Sequence, residues 1–327
     1  MAHADSVPSP NPFEGVRSLA AAMHKEVSAR VVGQDDVITC LIGSLILGGH
    51  VLMEGAPGLG KTVLARTLAD VVSLKFSRVQ FTPDLMPSDI LGTHMVSVDA
   101  AGRPSMTLRK GPLFANVVLA DEINRTAPRT QSALLEAMSE GQVSIDDTTH
   151  PLAPPFMVLA TQNPVEHFGT YPLPESQMDR FLLRIQLGYP DRAVERALLR
   201  DRTGEDPVTA LTPVIDHAAI AAAQAAVERV RIDDALLDYA LAIVDETRKS
   251  AHVAVGVSTR GALAWTRAAQ AHAFVDGRTY CVPDDWKQLA VPALAHRITL
   301  PTAHDSLGRA RAEAERAIGE IIARVSV

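Results

Sequence analysis

The stretch His50-Val-Leu-Met-Glu-Gly-Ala-Pro-Gly-Leu-Gly-Lys-Thr62 decides the fold. It reads as a short apolar strand ending at Glu54, a glycine-rich loop, and the first turn of a helix. From Gly55 to Thr62 the spacing is G-x-x-x-x-G-K-T, the pattern of a phosphate-binding loop between strand and helix. Its glycines let the backbone curl until several N–H groups face one anion. The helix that follows, with Val63, Leu64, Leu68, Val71 and Val72 on its apolar side, aims its positive end at the same point. Lys61 offers a mobile point charge to β- and γ-phosphates, and Thr62 offers a hydroxyl to Mg2+. Gly55, Pro57, Gly58, Gly60, Lys61, Thr62 and Val63 are therefore the candidate cradle of a nucleoside triphosphate.

On either side of this loop, short apolar strands alternate with helical patterns. Strands are expected at 50–54, 76–81, 117–120, 156–160 and 181–187. A helix is expected over 13–30, and a buried one ending near Leu47 before the turn Gly48-Gly49. Apolar strands of this kind are buried on both faces, which implies a mainly parallel sheet with helices on each side. Beyond Pro190 no such strand recurs, and Ala-rich helices are expected near 191–203, 216–229, 233–249, 258–275, 284–296 and 305–325. The expected architecture is an α/β core over 13–190, preceded by a flexible tail over 1–12 and followed by an all-α domain over 191–327.

Composition removes several classes. Hydrophobic residues at 47% suffice for a buried core. Thirty-one Lys and Arg against 38 Asp and Glu give a charge of −7, the wrong sign for non-specific binding to DNA or an anionic membrane. Cys40 and Cys281 make no disulfide framework and fit a reducing compartment such as the cytoplasm. Met1 to Gly15 lacks the apolar run of a signal peptide. The run without Asp, Glu, Lys or Arg between Asp36 and Glu54 is shorter than the about 20 residues a span needs and is broken by glycines. It is expected as a buried helix and strand, without membrane insertion. No cluster of His, Cys or acids has metal-site spacing.

The strand Val117-Val-Leu-Ala ends in Asp121-Glu122. Two acids at a strand end are either solvated turn residues or a cation-and-water site. Beside a phosphate loop the second is expected, with Asp121 holding Mg2+ and Glu122 deprotonating an attacking water.

Several runs together resemble the MoxR family of AAA+ ATPases. They are Val117-Val-Leu-Ala-Asp-Glu-Ile-Asn-Arg125, Ala160-Thr-Gln-Asn-Pro164, and Phe81-Thr-Pro-Asp-Leu-Met-Pro-Ser-Asp-Ile-Leu-Gly92. Tyr171-Pro-Leu-Pro-Glu-Ser-Gln-Met-Asp-Arg-Phe181 and Gly256-Val-Ser-Thr-Arg-Gly261 continue the likeness over nearly the whole chain beyond residue 12. The resemblance implies a P-loop AAA+ core with a helical lid, ATP and Mg2+ as ligands, and a ring, commonly six subunits, that remodels or matures client proteins. It also implies a partner protein with a von Willebrand factor A domain.

Carried over by residue, Val32-Gly33-Gln34 resembles the segment that touches adenine. Lys61 with Thr62, and Asp121 with Glu122, match the two Walker pairs. Asn163 stands where the family has sensor 1; a plain Asn-Pro turn is the alternative. Arg180 stands at the arginine finger, with an ion pair to Asp179 or Glu175 as the alternative. Arg260, behind a helix cap at Ser258, resembles sensor 2; a surface arginine is the alternative. Hairpins are expected near 93–112, with its turn at Ala100-Ala-Gly-Arg103, and near 140–155. In related rings such hairpins face the channel. Asp146 and Asp147 make the second acidic, unlike a DNA translocase. A DNA-remodelling motor and a nucleotide-switched binding module are the competing functions.

Overall fold

The computed structural model describes residues 13–98, 104–162, 170–201, 217–301 and 307–326. Helices α1 (Glu14–Ser28) and α2 (Asp35–Leu47) lead into strand β1 (Val51–Glu54), helix α3 (Lys61–Val71) and strand β2 (Phe76–Gln80). The short helix α4 (Pro87–Leu91) opens a hairpin of β3 (Gly92–Val98) and β4 (Pro104–Lys110). Strand β5 (Val117–Asp121) and helix α5 (Pro128–Glu140) precede a second hairpin, β6 (Gln142–Ile145) with β7 (Thr148–Pro151). Strand β8 (Met157–Gln162), helix α6 (Glu175–Met178) and strand β9 (Leu183–Gln186) complete the α/β part. Then come helices α7 (Arg192–Asp201), α8 (His217–Val227), α9 (Asp234–Lys249), α10 (Thr259–Val275), α11 (Pro283–Leu294) and α12 (Leu307–Arg324).

Five strands form one sheet in the order β2-β5-β8-β1-β9, and every pairing is parallel. Val51 lies level with Leu159 and Leu183, so the ends of β1, β8 and β9 come out together at one edge. β1 and β8 are buried along their whole length, the outcome expected of unbroken apolar runs covered by helices on both faces. Gly48 takes the left-handed conformation (φ 64°) and ends α2, placing the charge-poor run in a helix, a turn and β1. Among the described residues no helix is long and apolar enough to cross a membrane. The mainly parallel sheet between helices, followed by a helical lid, agrees with the alternation in the sequence. The expected tail and the turn at Ala100–Arg103 lie outside the described residues.

The sheet separates two apolar cores. On one face, α1, α2 and α3 pack with the lid helices in a single cluster running from Ile38, Leu41 and Leu45 to Trp265, Phe274 and Trp286. On the other, α4, α5 and the hairpins pack on Val118, Val158 and Phe181. Ser258 caps α10 as expected, its Oγ accepting from Gly261 N at 3.0 Å. The buried Asp285 joins α10 to α11. It accepts from Arg278 Nη2 at 2.6 Å and Val282 N at 2.8 Å, and its Oδ1 lies 2.7 Å from His272 Nδ1. His272, Asp276 and Asp285 converge closely enough for a metal, but Arg278 already supplies their cation.

Candidate functional site

Gly55, Gly58 and Gly60 have φ of 150°, 86° and 77°, conformations that side-chain-bearing residues rarely adopt. At Gly55 space matters as well, because a Cβ there would lie 2.6 Å from Leu187 O. The loop can therefore turn beside β9 and deliver Lys61 and Thr62 to the start of α3. Lys61 Nζ donates to Gly55 O at 2.6 Å, folding back over the loop. Burial lowers the lysine's affinity for its proton, while Asp121, Glu122 and Glu54 work the other way. A partly desolvated ammonium favours an anion that can replace the lost water, whereas the acids around it oppose that anion unless a cation sits beside them.

Both acids stand at the end of β5. Glu122 itself has φ 58° and ψ 50°, which turns it off the strand direction. Thr161 on β8 bridges the pair: its Oγ1 donates to Asp121 Oδ1 at 2.5 Å and accepts from Glu122 N at 2.9 Å. From β2, Arg78 Nη2 reaches Asp121 Oδ2 at 2.6 Å, and Gln80 Nε2 donates to Glu122 Oε2 at 2.7 Å. Arg125 Nη1 is 3.2 Å from the same Glu122 oxygen. Thr161, Arg78 and Gln80 were not among the sequence candidates. A signal existed on β2, where Arg78 and Gln80 alternate with buried Val79 and so share one face. That face is informative only once β5 is known to be its neighbour.

These groups share a cleft of about 910 Å3. Val32, Gln34, Lys61, Thr62, Asp121 and Glu122 line it, as do Gly55, Pro57, Gly58, Gly60 and Val63. Gln34 Nε2 also donates to Gly188 O at 3.1 Å, tying the segment before α2 to the chain after β9. Gly33 does not line it; a Cβ there would lie 3.3 Å from Val194 on α7. The far wall comes from α7, through Glu195 and Leu199, with the exposed Tyr189 at the rim. Thr62 and Asp121 present oxygen donors only, a set that suits a hard cation such as Mg2+. Asp121 already takes a positive partner in Arg78.

The match to known proteins extends beyond the loop. Residues 50–183 match the model of the ATPase family associated with various cellular activities (AAA), and residues 245–318 match an AAA lid domain. Chaperone MoxR1 of Mycobacterium tuberculosis is 41% identical over 91% of this chain and 82% of its own length. This chain belongs to the MoxR family of AAA+ ATPases. YeaC of Bacillus subtilis is 44% identical over 96% of both chains. A candidate ATPase from Cytophaga hutchinsonii superposes with a TM-score of 0.86 at 39% identity, covering 97% of this chain and 96% of its own.

The other residues carried over from the MoxR pattern are placed less uniformly. Asn163 lies outside the described residues. Arg180 is not in the cleft of its own chain. Its Nη1 donates to Leu135 O at 3.0 Å and to Ser139 Oγ, both on α5. The alternative ion pairs do not form: Asp179 pairs with Arg297, and Glu175 accepts from Thr299. Arg260 is exposed on the first turn of α10, and the structure does not bring it to the cleft. The reason lies in the packing, since α10 lies against α2 and its first turn rests on Arg297.

A different lid residue reaches the base of the site. Arg311 on α12 places Nη1 2.9 Å from Glu54 Oε1, and its Nη2 donates to Gln162 Oε1 at 2.7 Å. Glu54 directly precedes the phosphate loop, and Gln162 directly precedes Asn163. Arg184 on β9 completes the group, 3.9 Å from Glu54 and 2.5 Å from Glu315 on α12. Burial pushes the Glu54 carboxyl up, and the two arginines oppose that. Nothing in the sequence marked Arg311, which appears there as one of several charges on an amphipathic helix.

Proposed function

We propose that this chain is an ATP hydrolase that works as a ring, commonly six subunits in its family, and couples turnover to remodelling or maturation of client proteins. The observation that carries the reading is the convergence of Lys61, Thr62, Asp121 and Glu122 on one cleft beside three positive-φ glycines. The triphosphate binds along the loop, where backbone N–H groups and Lys61 Nζ meet its β- and γ-oxygens. Thr62 Oγ1 and the Asp121 carboxylate hold Mg2+, which when bound neutralises charge on the transferring phosphoryl group. Glu122 accepts the proton of the attacking water on its carboxylate once the hydrogen bond from Gln80 to Oε2 opens. Asn163 orients that water.

Arg180 serves the neighbouring subunit's triphosphate. Its absence from its own cleft supports this, and reaching out requires leaving Leu135 O and Ser139. Such an arginine in trans is worth about 10³–10⁵ in rate in other nucleotide hydrolases. Arg260 is assigned to the same neighbour, because it too stands outside its own cleft.

The client side is assigned to the hairpins. Val96 and Met106, paired across β3–β4 and each 66% exposed, put an apolar pair on one face suited to unfolded or loosely held polypeptide, with Met95, 46% exposed, on the opposite face. His94 Nδ1 lies 2.7 Å from Asp146 Oδ2, so the two hairpins are tied together. A von Willebrand factor A-domain partner that brings clients fits the family resemblance, and the name of the mycobacterial relative points to chaperone work.

The test is Glu122→Gln. It should bind a fluorescent ATP analogue as the parent does and release no phosphate. Held in ATP, it should also retain partner and client in a pulldown. Phosphate release at the parent rate removes the assignment of Glu122 as base.

A further inference from the structure

Arg297 belongs to no motif read from the sequence. It ends the 3-10 turn Ala295–Arg297 after α11, with its side chain 2% exposed. A guanidinium so deep in the protein is costly unless its donors are met. Here Nε lies 2.7 Å from Asp179 Oδ1. Nη1 donates to Leu182 O at 3.1 Å and to Ala293 O, and Nη2 donates to Phe181 O at 2.7 Å and Asp179 O at 3.4 Å. Three of these carbonyls belong to residues 179, 181 and 182. They bracket Arg180, whose own side chain points elsewhere, toward α5. The neighbouring His296 adds Nε2 3.1 Å from the same Phe181 O.

Arg297 also lies beside the turn that carries Arg260. The first turn of α10 rests on its stem, where a Cβ on Gly261 would lie 2.8 Å from Arg297 Cδ. The residue before Gly261 is Arg260, and its positive charge is felt at the Arg297 guanidinium. One planar, five-donor group therefore fixes the backbone on both sides of Arg180 and supports the turn that presents Arg260. A lysine at this place has a single nitrogen and could not bridge the same acceptors.

We propose that Arg297 is a positioning residue for the trans-acting arginines: it holds Arg180 and Arg260 in one rigid unit presented to the neighbouring subunit's nucleotide. This rests on the reading that Arg180 acts across the subunit boundary. Arg297 itself touches no substrate.

Mixed rings supply the test. Arg297→Lys and, in parallel, Asp179→Asn are each prepared alone and mixed with Lys61→Ala subunits, with Arg180→Ala plus Lys61→Ala as the control pair. Arg297→Lys should bind a fluorescent ATP analogue within about twofold of the parent, because the cleft is untouched. Its homogeneous rings should lose on the order of tenfold or more in turnover, as expected for a misplaced catalytic group. Mixing with Lys61→Ala should restore part of that loss, because the Lys61→Ala subunits contribute intact arginines to intact clefts. Asp179→Asn should show the same pattern with a smaller loss.

Damage to the general fold would weaken nucleotide binding and would not be repaired by mixing. The proposal is overturned if Arg297→Lys turns over at the parent rate. It is also overturned if mixing fails to rescue it while the control pair recovers, or if both variants fail to fold, which would make the residue a fold stabiliser. If the control pair itself shows no recovery in rings shown to be mixed, action across the boundary is refuted and the proposal falls with it.

Discussion

Replacing Arg311 by Met measures the charge cluster beneath the phosphate loop. The substitution keeps similar bulk and removes the cation nearest Glu54, 2.9 Å away in the parent. Glu54 is then left with Arg184 at 3.9 Å, which is shared with Glu315. A carboxylate this deeply buried has two options: remain ionised with a poor partner, or take up a proton. The second sets a ceiling on the damage. Protonating a carboxyl of ordinary pKa about 4.3 at pH 7 costs about 1.36 kcal/mol for each of about 2.7 units, or about 3.7 kcal/mol. At pH 5 the same ceiling is about 1 kcal/mol. Gln162 also loses its charged donor, worth roughly 1 kcal/mol at either pH.

The sign is that of an acid whose folded pKa lies above its unfolded one. The penalty is present above the unfolded pKa and fades as pH falls toward it. The variant should therefore lose about 3–4 kcal/mol at pH 7, and roughly half of that or less at pH 5, in urea unfolding followed by circular dichroism. Adding Glu54→Gln to Arg311→Met should recover most of the pH 7 loss. A loss independent of pH, or no recovery in the double variant, would refute the view that an uncompensated Glu54 is the source.

Gly55→Ala should lose binding of a fluorescent ATP analogue by about tenfold or more, because its Cβ would sit 2.6 Å from Leu187 O at a φ of 150°; binding within twofold of the parent rejects the steric argument. Gln80→Ala frees Glu122 Oε2 from a 2.7 Å hydrogen bond and should raise basal phosphate release about 2- to 10-fold, the equivalent of about 0.5–1.5 kcal/mol. Unchanged or slower release would mean that the bond does not restrain the base. Asp285 bears on the acid limb of stability. Burial raises its carboxyl, but bonds from Arg278, His272 and Val282 N outweigh that and hold it at about 2. Its folded pKa is the lower one, so its contribution is present above about pH 4 and disappears as pH falls toward 2; Asp285→Asn should flatten that part of the curve by on the order of 1 kcal/mol, reduced for partial access of water to Arg278.

Much of this was legible in the sequence because the signals were local. The phosphate loop, the acids after Val117–Ala120, the glycine after Leu47 and the Ser258 cap are each encoded within a few residues, and the strands and helices fall within a few positions of their expected ends. The missing pieces are relations between distant segments. Arg78 and Gln80 matter because β2 lies beside β5, and Thr161 because β8 does. Arg311 and Arg297 matter because the lid folds back onto β1 and onto the turn before β9. No spacing in a single chain announces such partners. Arg260 shows the converse: its motif is intact, yet the packing of α10 on α2 keeps it from the cleft of its own subunit.

The continuous apolar cluster on one face of the sheet changes what the boundary expected near residue 190 means. Ile38, Leu41, Ile42 and Leu45 on α2 are fully buried, and Gly43 comes so near α10 that an added Cβ would lie 3.4 Å from that of Ala271. A chain stopped after β9 would leave this greasy flank bare to water, and it should aggregate rather than behave as a small independent nucleotide binder. Exchanging lids between relatives meets the same obstacle. The donor would have to bring its own α1 and α2 along with the helices that follow residue 190, because that is where the seam between the two halves is sewn.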